Sequence, residues 1–311
     1  MEIIRDINKE LQLTSSVATI GTFDGLHVGH LKIIENLKKK ANELKLKNVV
    51  ITFYPHPRVI LDEGNEVKLL TPIDEKIKLF EKLGIDYLYI IPFTKEFSKK
   101  TYQEFVEEIV FGKTKAKFLI IGYDHKFGKN REGDGNKLQE YVEGKIFEMI
   151  IVGPEEIENE PVSSTKIREA IKNDNLDFAN KMLGRYYFID GIVIQGAKRG
   201  RTLGFPTANL KPSENNKLIP PNGVYFVRVL HNNQNYFGVA NIGLRPTFNN
   251  VKEPITEVYI FDFSKEIYSE NISIEFIKKL RNERKFNSIE QLEIQIQKDV
   301  EVAKNFINEV N

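Results

Sequence analysis

Val17-Ala18-Thr19-Ile20-Gly21-Thr22-Phe23-Asp24-Gly25-Leu26-His27-Val28-Gly29-His30 decides how this chain begins to fold. Residues 17–21 form a short apolar run that reads as a buried strand. Leu31, Ile34, Leu37 and Ala41 then recur at helical spacing between His30 and about Leu46. The turn between the two is rich in glycine, which lets backbone approach a ligand closely. The helix N-terminus beyond it offers N–H groups and positive dipole to phosphates. His27 and His30 are three apart and share a face if both enter the first helical turn. Imidazoles there can donate hydrogen bonds to charge building on a nucleotide α-phosphate. A capped turn with incidental histidines is the plain alternative for this stretch taken alone.

Working outward, strand and helix keep alternating: strand 48–53, helix 74–84, strand 86–93, helix 102–110 and strand 116–122. Apolar strands separated by amphipathic helices predict a parallel sheet covered on both faces. One more helix is expected from Lys166 to about Leu183, ending at Gly184. From Tyr186 the pattern changes to short strand-like runs (YFIDGIVIQG, GVYFVRVL, QNYFGVANIG, EPITEVYIFDF and NISIEFIKKL) separated by turn residues. That predicts an antiparallel barrel or sandwich, closed by a helix over 288–307. The expected fold class is therefore an α/β domain over 1–184 followed by a β-barrel with a terminal helix over 185–311.

Composition narrows the function classes. Hydrophobic residues make up 41% and charged residues 29% of the 311, a profile that can bury a sizeable core. A net charge of +1 argues against a general nucleic-acid partner, and the absence of cysteine removes disulfides, thiolate metal sites and cysteine nucleophiles. No apolar run approaches the roughly 20 residues of a membrane span, and the N-terminal stretch lacks a signal-peptide core. A soluble cytoplasmic protein with no membrane or nucleic-acid partner is the expectation. His27, His30, His56 and His125 include no H-E-x-x-H pair, which disfavours a dedicated zinc site.

A second anion site is legible at Val162-Ser163-Ser164-Thr165-Lys166-Ile167-Arg168. Hydroxyls before a helix can simply cap it. Arg168, one turn in, adds a guanidinium beside the same N–H groups, a combination suited to a leaving pyrophosphate. Two further segments follow strands, where ligands of open α/β sheets bind: Thr52-Phe53-Tyr54-Pro55-His56-Pro57 and Gly122-Tyr123-Asp124-His125-Lys126-Phe127-Gly128.

GTFDGLHVGH resembles the nucleotidylyltransferase signature, and its G-x-F-D-G-x-H opening is similar to bacterial FAD synthetases. SSTKIR resembles the second signature of that superfamily. The resemblance implies that His27, His30 and Arg168 bind and activate ATP phosphates. It implies that Gly21, Phe23, Asp24, Gly25, Gly29, Ser164 and Thr165 form the nucleotide pocket. It further implies that Pro55, Pro57, Asp124 and Phe127 line the flavin side.

The barrel half carries its own dense cluster, Gly196-Ala197-Lys198-Arg199-Gly200-Arg201-Thr202-Leu203-Gly204-Phe205-Pro206-Thr207-Ala208-Asn209. Glycines, cations and a proline there suit a loop folded over phosphates better than a strand interior. A basic nucleic-acid patch is the competing reading, but stacking aromatics are not interleaved with the cations. Thr207 and Asn209, two apart on extended chain, point the same way and offer hard oxygen ligands for Mg²⁺ on ATP, while for T-x-N alone the polar face of an edge strand is the favoured reading. A carboxylate inside an otherwise apolar and aromatic strand is costly to bury without a role or a partner. Glu257, in Thr256-Glu257-Val258-Tyr259-Ile260-Phe261-Asp262-Phe263, is such a residue.

GxxxGRxLGFPTAN closely resembles the riboflavin kinase signature. That resemblance implies that Glu257 is the catalytic base and that Thr207 and Asn209 hold metal and nucleotide. It implies that Gly196, Lys198, Gly200, Arg201 and Gly204 wrap the ATP phosphates. Asn241-Ile242-Gly243-Leu244-Arg245-Pro246-Thr247-Phe248 is similar to another segment near that active site, and the run from Arg281 to Phe286 to one flanking the flavin, with Arg281 and Phe286 as binding residues. The sequence departs from the bacterial pattern at Tyr259, where His is common, and at Ser264-Lys265, where Asp-Gly is common. Taken together, the resemblances imply a bifunctional enzyme with riboflavin, FMN and ATP as substrates, Mg²⁺ as cofactor and no obligatory protein partner. The barrel would phosphorylate riboflavin, and the α/β half would adenylate FMN to FAD.

Overall fold

The structure, a computed structural model, describes residues 1–62, 67–144, 147–196, 204–246 and 252–310. Two compact units divide it, Met1–Ser164 and Thr165–Asn311.

In the first unit the strands are β1 (Glu2–Ile4), β2 (Ser16–Ile20), β3 (Lys47–Tyr54), β4 (Tyr87–Pro92), β5 (Ala116–Gly122) and β6 (Glu148–Val152). They form one sheet in the order β1-β4-β3-β2-β5-β6 with every pair parallel. The helices are α1 (Val28–Leu44), α2 (Pro57–Leu61), α3 (Ile73–Lys82), α4 (Tyr102–Phe105) and α5 (Gly135–Val142). Apolar residues cover both faces of the sheet. Ala18, Ile20, Val49 and Ile51 pack under one cluster, while Val17, Val50, Leu88 and Ile120 pack under the other with Ile34 and Leu37 of α1. This two-sided burial is why the strands read as continuous apolar runs. The chain leaves β2 for β3 on one side and returns to β5 on the other, so the end of β2 is a topological switch point. A two-strand ribbon, β7 (Glu156–Ile157) and β8 (Glu160–Pro161), follows the sheet.

The helix expected over 102–110 is α-helical only through Phe105 and then widens into π-turns over Val106–Lys113. The helix expected over 166–183 is two: α6 (Ser164–Lys172) and α7 (Leu176–Leu183). Asn173-Asp174-Asn175 breaks it. Asp174 takes φ 62, and the Asn175 side chain accepts the Phe178 N–H at 3.3 Å as a new N-cap. Gly184, at φ 68, ends α7 in the left-handed conformation.

The second unit carries β9 (Tyr187–Ile194), β10 (Thr207–Pro212), β11 (Gly223–His231), β12 (Gln234–Pro246), β13 (Lys252–Ile260) and β14 (Asn271–Arg281). These close into an antiparallel barrel in the order β10-β13-β12-β11-β14-β9. Period-2 burial sends Tyr225, Val227 and Val229 of β11 inward with Ala240, Ile242 and Val258. Burial pushes the Tyr225 hydroxyl above the ordinary tyrosine range. The last helix, α8 (Ile289–Val310), covers part of the barrel's outer face, where Ala303 and Phe306 meet Val224, Phe226, Val239 and Phe261. Thus the expected α/β sheet, the antiparallel barrel and the terminal helix are all present.

Candidate active sites

In the first unit the loop at the switch point is held from outside. Phe23 (φ 48), Gly25 (φ 85) and Leu26 (φ 40) all take left-handed backbone, a run that persists only where the surroundings fix it. Asp24 is wholly buried, and its carboxylate accepts the Thr71 N–H at 2.9 Å and the Leu70 N–H at 3.3 Å. Its carbonyl accepts the Ser164 hydroxyl at 2.7 Å, so the two signatures meet at this loop. Phe23 is also interior, edge-on to His30 at 5.2 Å and to Phe80 at 5.5 Å. Phe23 and Asp24 therefore shape the loop from within.

His27 caps α1, its Nδ1 accepting the His30 N–H at 3.4 Å. That acceptance leaves the proton of a neutral His27 ring on Nε2. The two imidazoles stack with centroids 3.7 Å apart and planes 16° from parallel. Gly29 lies against this stack, and a Cβ there would sit 3.3 Å from His27 Nδ1; Gly21 packs equally close under the Phe23 ring. Thr165 is exposed and Arg168 half-buried on the first turns of α6.

Around the ends of β3, β4 and β5 the structure gathers aromatic rings that the sequence left scattered. Phe53 meets Phe93 at 5.8 Å, Phe97 at 6.2 Å and Phe105 at 6.2 Å, and Phe105 meets Phe127 at 5.9 Å. Phe127 is buried, paired through its backbone with Gly133 and stacked by His125 at 5.4 Å. Pro55 and Pro57 flank His56, which caps α2 by accepting the Arg58 N–H at 3.2 Å. Asp124 is exposed on the turn after β5, beside Gly122. Phe93, Phe97 and Phe105 were missed, and their only signal was aromatic density between residues 93 and 105.

In the second unit the register does what the sequence could not. Asn209 of β10 stands directly opposite Glu257 of β13, and Glu257 stands opposite Asn241 of β12. Thr207 faces Tyr259 two pairs along, on the same face. Thr256, Val258 and Ile260 point into the barrel, so the half-buried Glu257 and Tyr259 lie on its outer face. The carboxylate is thus not placed in the apolar interior. Tyr259 packs edge-on against Phe205 at 5.3 Å, the phenylalanine of the G-F-P-T-A-N run, which accounts for an aromatic ring at this position. Gly196 lies against Asn209: a Cβ there would clash with the Asn209 side-chain amide unless that side chain moved. Gly204 takes φ 78, a conformation that favours glycine. Lys198, Gly200 and Arg201 lie outside the described residues, as do Thr247 and Phe248.

Arg281 ends β14 in a bidentate pair with Asp299 of α8, Nε to Oδ1 at 2.9 Å and the terminal nitrogen to Oδ2 at 2.7 Å. Gln295 donates to the same carboxylate at 2.7 Å. Phe286 lies under Arg284 at 4.9 Å and beside an open cavity of about 330 Å³ lined also by Lys285, Ile294 and Lys298. Arg281 therefore anchors this segment, and Phe286 is the member that faces a cavity. Among the described residues no group of three or more His, Asp or Glu could hold a metal by itself. The Thr207 hydroxyl, the Asn209 amide and the Glu257 carboxylate are hard oxygen donors that fit a cation whose other ligands come from phosphates.

Comparison with known proteins matches the chain twice. An FAD synthetase family model covers residues 9–166 and a riboflavin kinase family model covers residues 183–307. The bifunctional riboflavin kinase/FMN adenylyltransferase of Bacillus subtilis (strain 168) is 40% identical over 94% of this chain and 93% of that protein. The chain belongs to the bifunctional riboflavin kinase/FMN adenylyltransferase family. The Haemophilus influenzae member is likewise 40% identical, over 99% of this chain and all of its own length. Members of this family are ATP-using enzymes of a kind that generally needs a divalent metal. A crystal structure described as a macrolide-efflux protein from Streptococcus pneumoniae has the same fold, with a TM-score of 0.88 and 32% identity over 98% of this chain and 99% of that one. Among the described residues of the present chain no helix is long and apolar enough to cross a membrane.

Proposed function

We propose that the chain makes FMN from riboflavin in the module over 185–311 and FAD from FMN in the module over 1–184, with Mg²⁺ carried on ATP, in the cytoplasm. The observation that carries the kinase assignment is Glu257 set between Asn209 and Asn241 on adjacent strands, two pairs from Thr207. Glu257 takes the proton from the ribityl hydroxyl as its oxygen bonds to the γ-phosphorus and ADP leaves. Thr207 and Asn209 would hold the cation of the nucleotide, which would supply neutralisation of phosphate charge. Gly196, Lys198, Gly200, Arg201 and Gly204 bind the ATP phosphates, and Arg281 and Phe286 fix the flavin side.

Adenylyl transfer needs less chemistry from the protein. The FMN phosphate is already ionised near neutral pH, so its oxygen attacks the α-phosphorus without a strong base and pyrophosphate departs. His27 and His30 donate to the charge developing on the α-phosphate, Arg168 with Ser164 and Thr165 takes the pyrophosphate, and placement supplies the rest. Gly21, Phe23, Asp24, Gly25 and Gly29 set the nucleotide loop. The ring cluster around Phe53, together with Pro55, Pro57 and Phe127, gives the isoalloxazine an apolar wall, and Asp124 offers a polar contact beside it.

Incubating the pure protein with riboflavin, ATP and Mg²⁺ and resolving flavins by chromatography tests this reading. FMN followed by FAD supports it. FMN alone overturns the N-terminal assignment, and FAD from supplied FMN but not from riboflavin overturns the barrel assignment.

A further inference from the structure

The helix expected over 74–84 as a cover for the sheet also buries a charge. Lys76 of α3 is 4% exposed. Its ammonium donates to the Thr22 carbonyl at 2.5 Å, and the buried Thr52 hydroxyl lies 3.4 Å from the same oxygen. A buried ammonium carries a desolvation cost that methionine, of similar length and shape, would avoid. One group that the charge secures is the Thr22 carbonyl. Thr22 immediately precedes Phe23, the first of the three left-handed residues, and the turn they make leads straight into His27 and His30. The Asp24 carboxylate anchors the middle of this turn through the Leu70 and Thr71 N–H groups. Lys76 anchors its entrance.

We propose that Lys76 is a positioning residue for adenylyl transfer. Its charge-assisted hydrogen bond fixes the Thr22 carbonyl, and with it the path by which the strained turn presents the two histidines to the α-phosphate. The proposal rests on the adenylyltransferase reading of this module. Since the histidines act on charge that develops during attack, displacing them lowers kcat more than it raises the KM for ATP.

The test compares wild type, Lys76→Met and Lys76→Arg in FAD formation from supplied FMN and ATP, with FMN formation from riboflavin measured on the same preparations. Lys76→Met is expected to lose on the order of 10–100-fold in kcat for FAD formation. The KM for ATP should change by less than about 3-fold, with FMN formation at the wild-type rate. Lys76→Arg, which keeps a cationic donor, is expected to recover most of the lost kcat. Wild-type kcat in Lys76→Met would overturn the proposal. So would a loss confined to KM, a loss of both activities together, or an arginine variant no better than methionine. A wild-type protein that makes no FAD from FMN would instead overturn the reading beneath it.

Discussion

His27 and His30 stack with their ring centroids 3.7 Å apart at the first turn of α1, directly beyond a loop that Asp24, Thr22 and Ser164 tie to three other segments. Sequence spacing places them on one face. The stack places both rings at one point, as the proposed adenylyl site requires if both act on one phosphate. His30→Ala should therefore lower kcat for FAD formation from FMN on the order of 10²–10³-fold, the usual effect of losing a donor to developing charge. Riboflavin phosphorylation, measured alongside, should be unaffected.

Glu257→Gln should do the reverse. Glutamine keeps the shape between Asn209 and Asn241 but cannot accept the ribityl proton. FMN formation from riboflavin should fall at least on the order of 10²-fold, while FAD formation from supplied FMN continues. Retained FMN formation would remove Glu257 as the base.

Asp299 is buried and holds Arg281 in a two-point pair that ties α8 to the end of β14. Asp299→Ala strands a guanidinium that is only about one-fifth exposed. A cost of about 2–3 kcal/mol to the second unit is expected, at the low end for breaking a buried pair because Arg281 keeps some water. Thermal unfolding checks the stability. Since Phe286 lies on the same segment, the KM for riboflavin should rise as well.

Tyr89, wholly buried in β4, sets its hydroxyl 2.7 Å from the Lys9 carbonyl and 3.0 Å from that of Ile7, pinning the segment between β1 and β2. Burial, with Asp6 and Glu10 nearby, pushes its pKa up to about 12. A group whose folded pKa is raised contributes stability that is complete below its unfolded pKa of about 10 and is lost as pH rises toward the folded value. Stability of the first unit should accordingly fall between about pH 10 and about pH 12. Tyr89→Phe should flatten that slope, at a cost of about 1–2 kcal/mol at neutral pH for the carbonyls left behind. Denaturant titrations across this range measure both effects.

Two helices show where local reading stops. The segment from Lys166 to Leu183 has helical spacing throughout, yet Asn175 captures the Phe178 N–H and turns Asp174 left-handed, so side-chain capping outweighs the apolar period. Beyond Phe105, packing against the sheet widens the helix into π-turns, which no periodicity of the sequence announces.

Alone, the sequence determined the alternation of strands and helices, the change to antiparallel pattern near Tyr186, and both signature loops. Each of these rests on interactions between residues close along the chain: side-chain period, glycine freedom and helix capping. Only the tertiary structure decided that Asn209, Glu257 and Asn241 form one row, that four phenylalanines from four segments converge with Phe127, and that Lys76 reaches Thr22. Strand register and burial depend on which distant segments share a sheet or a core, and that is fixed when the whole apolar surface packs at once.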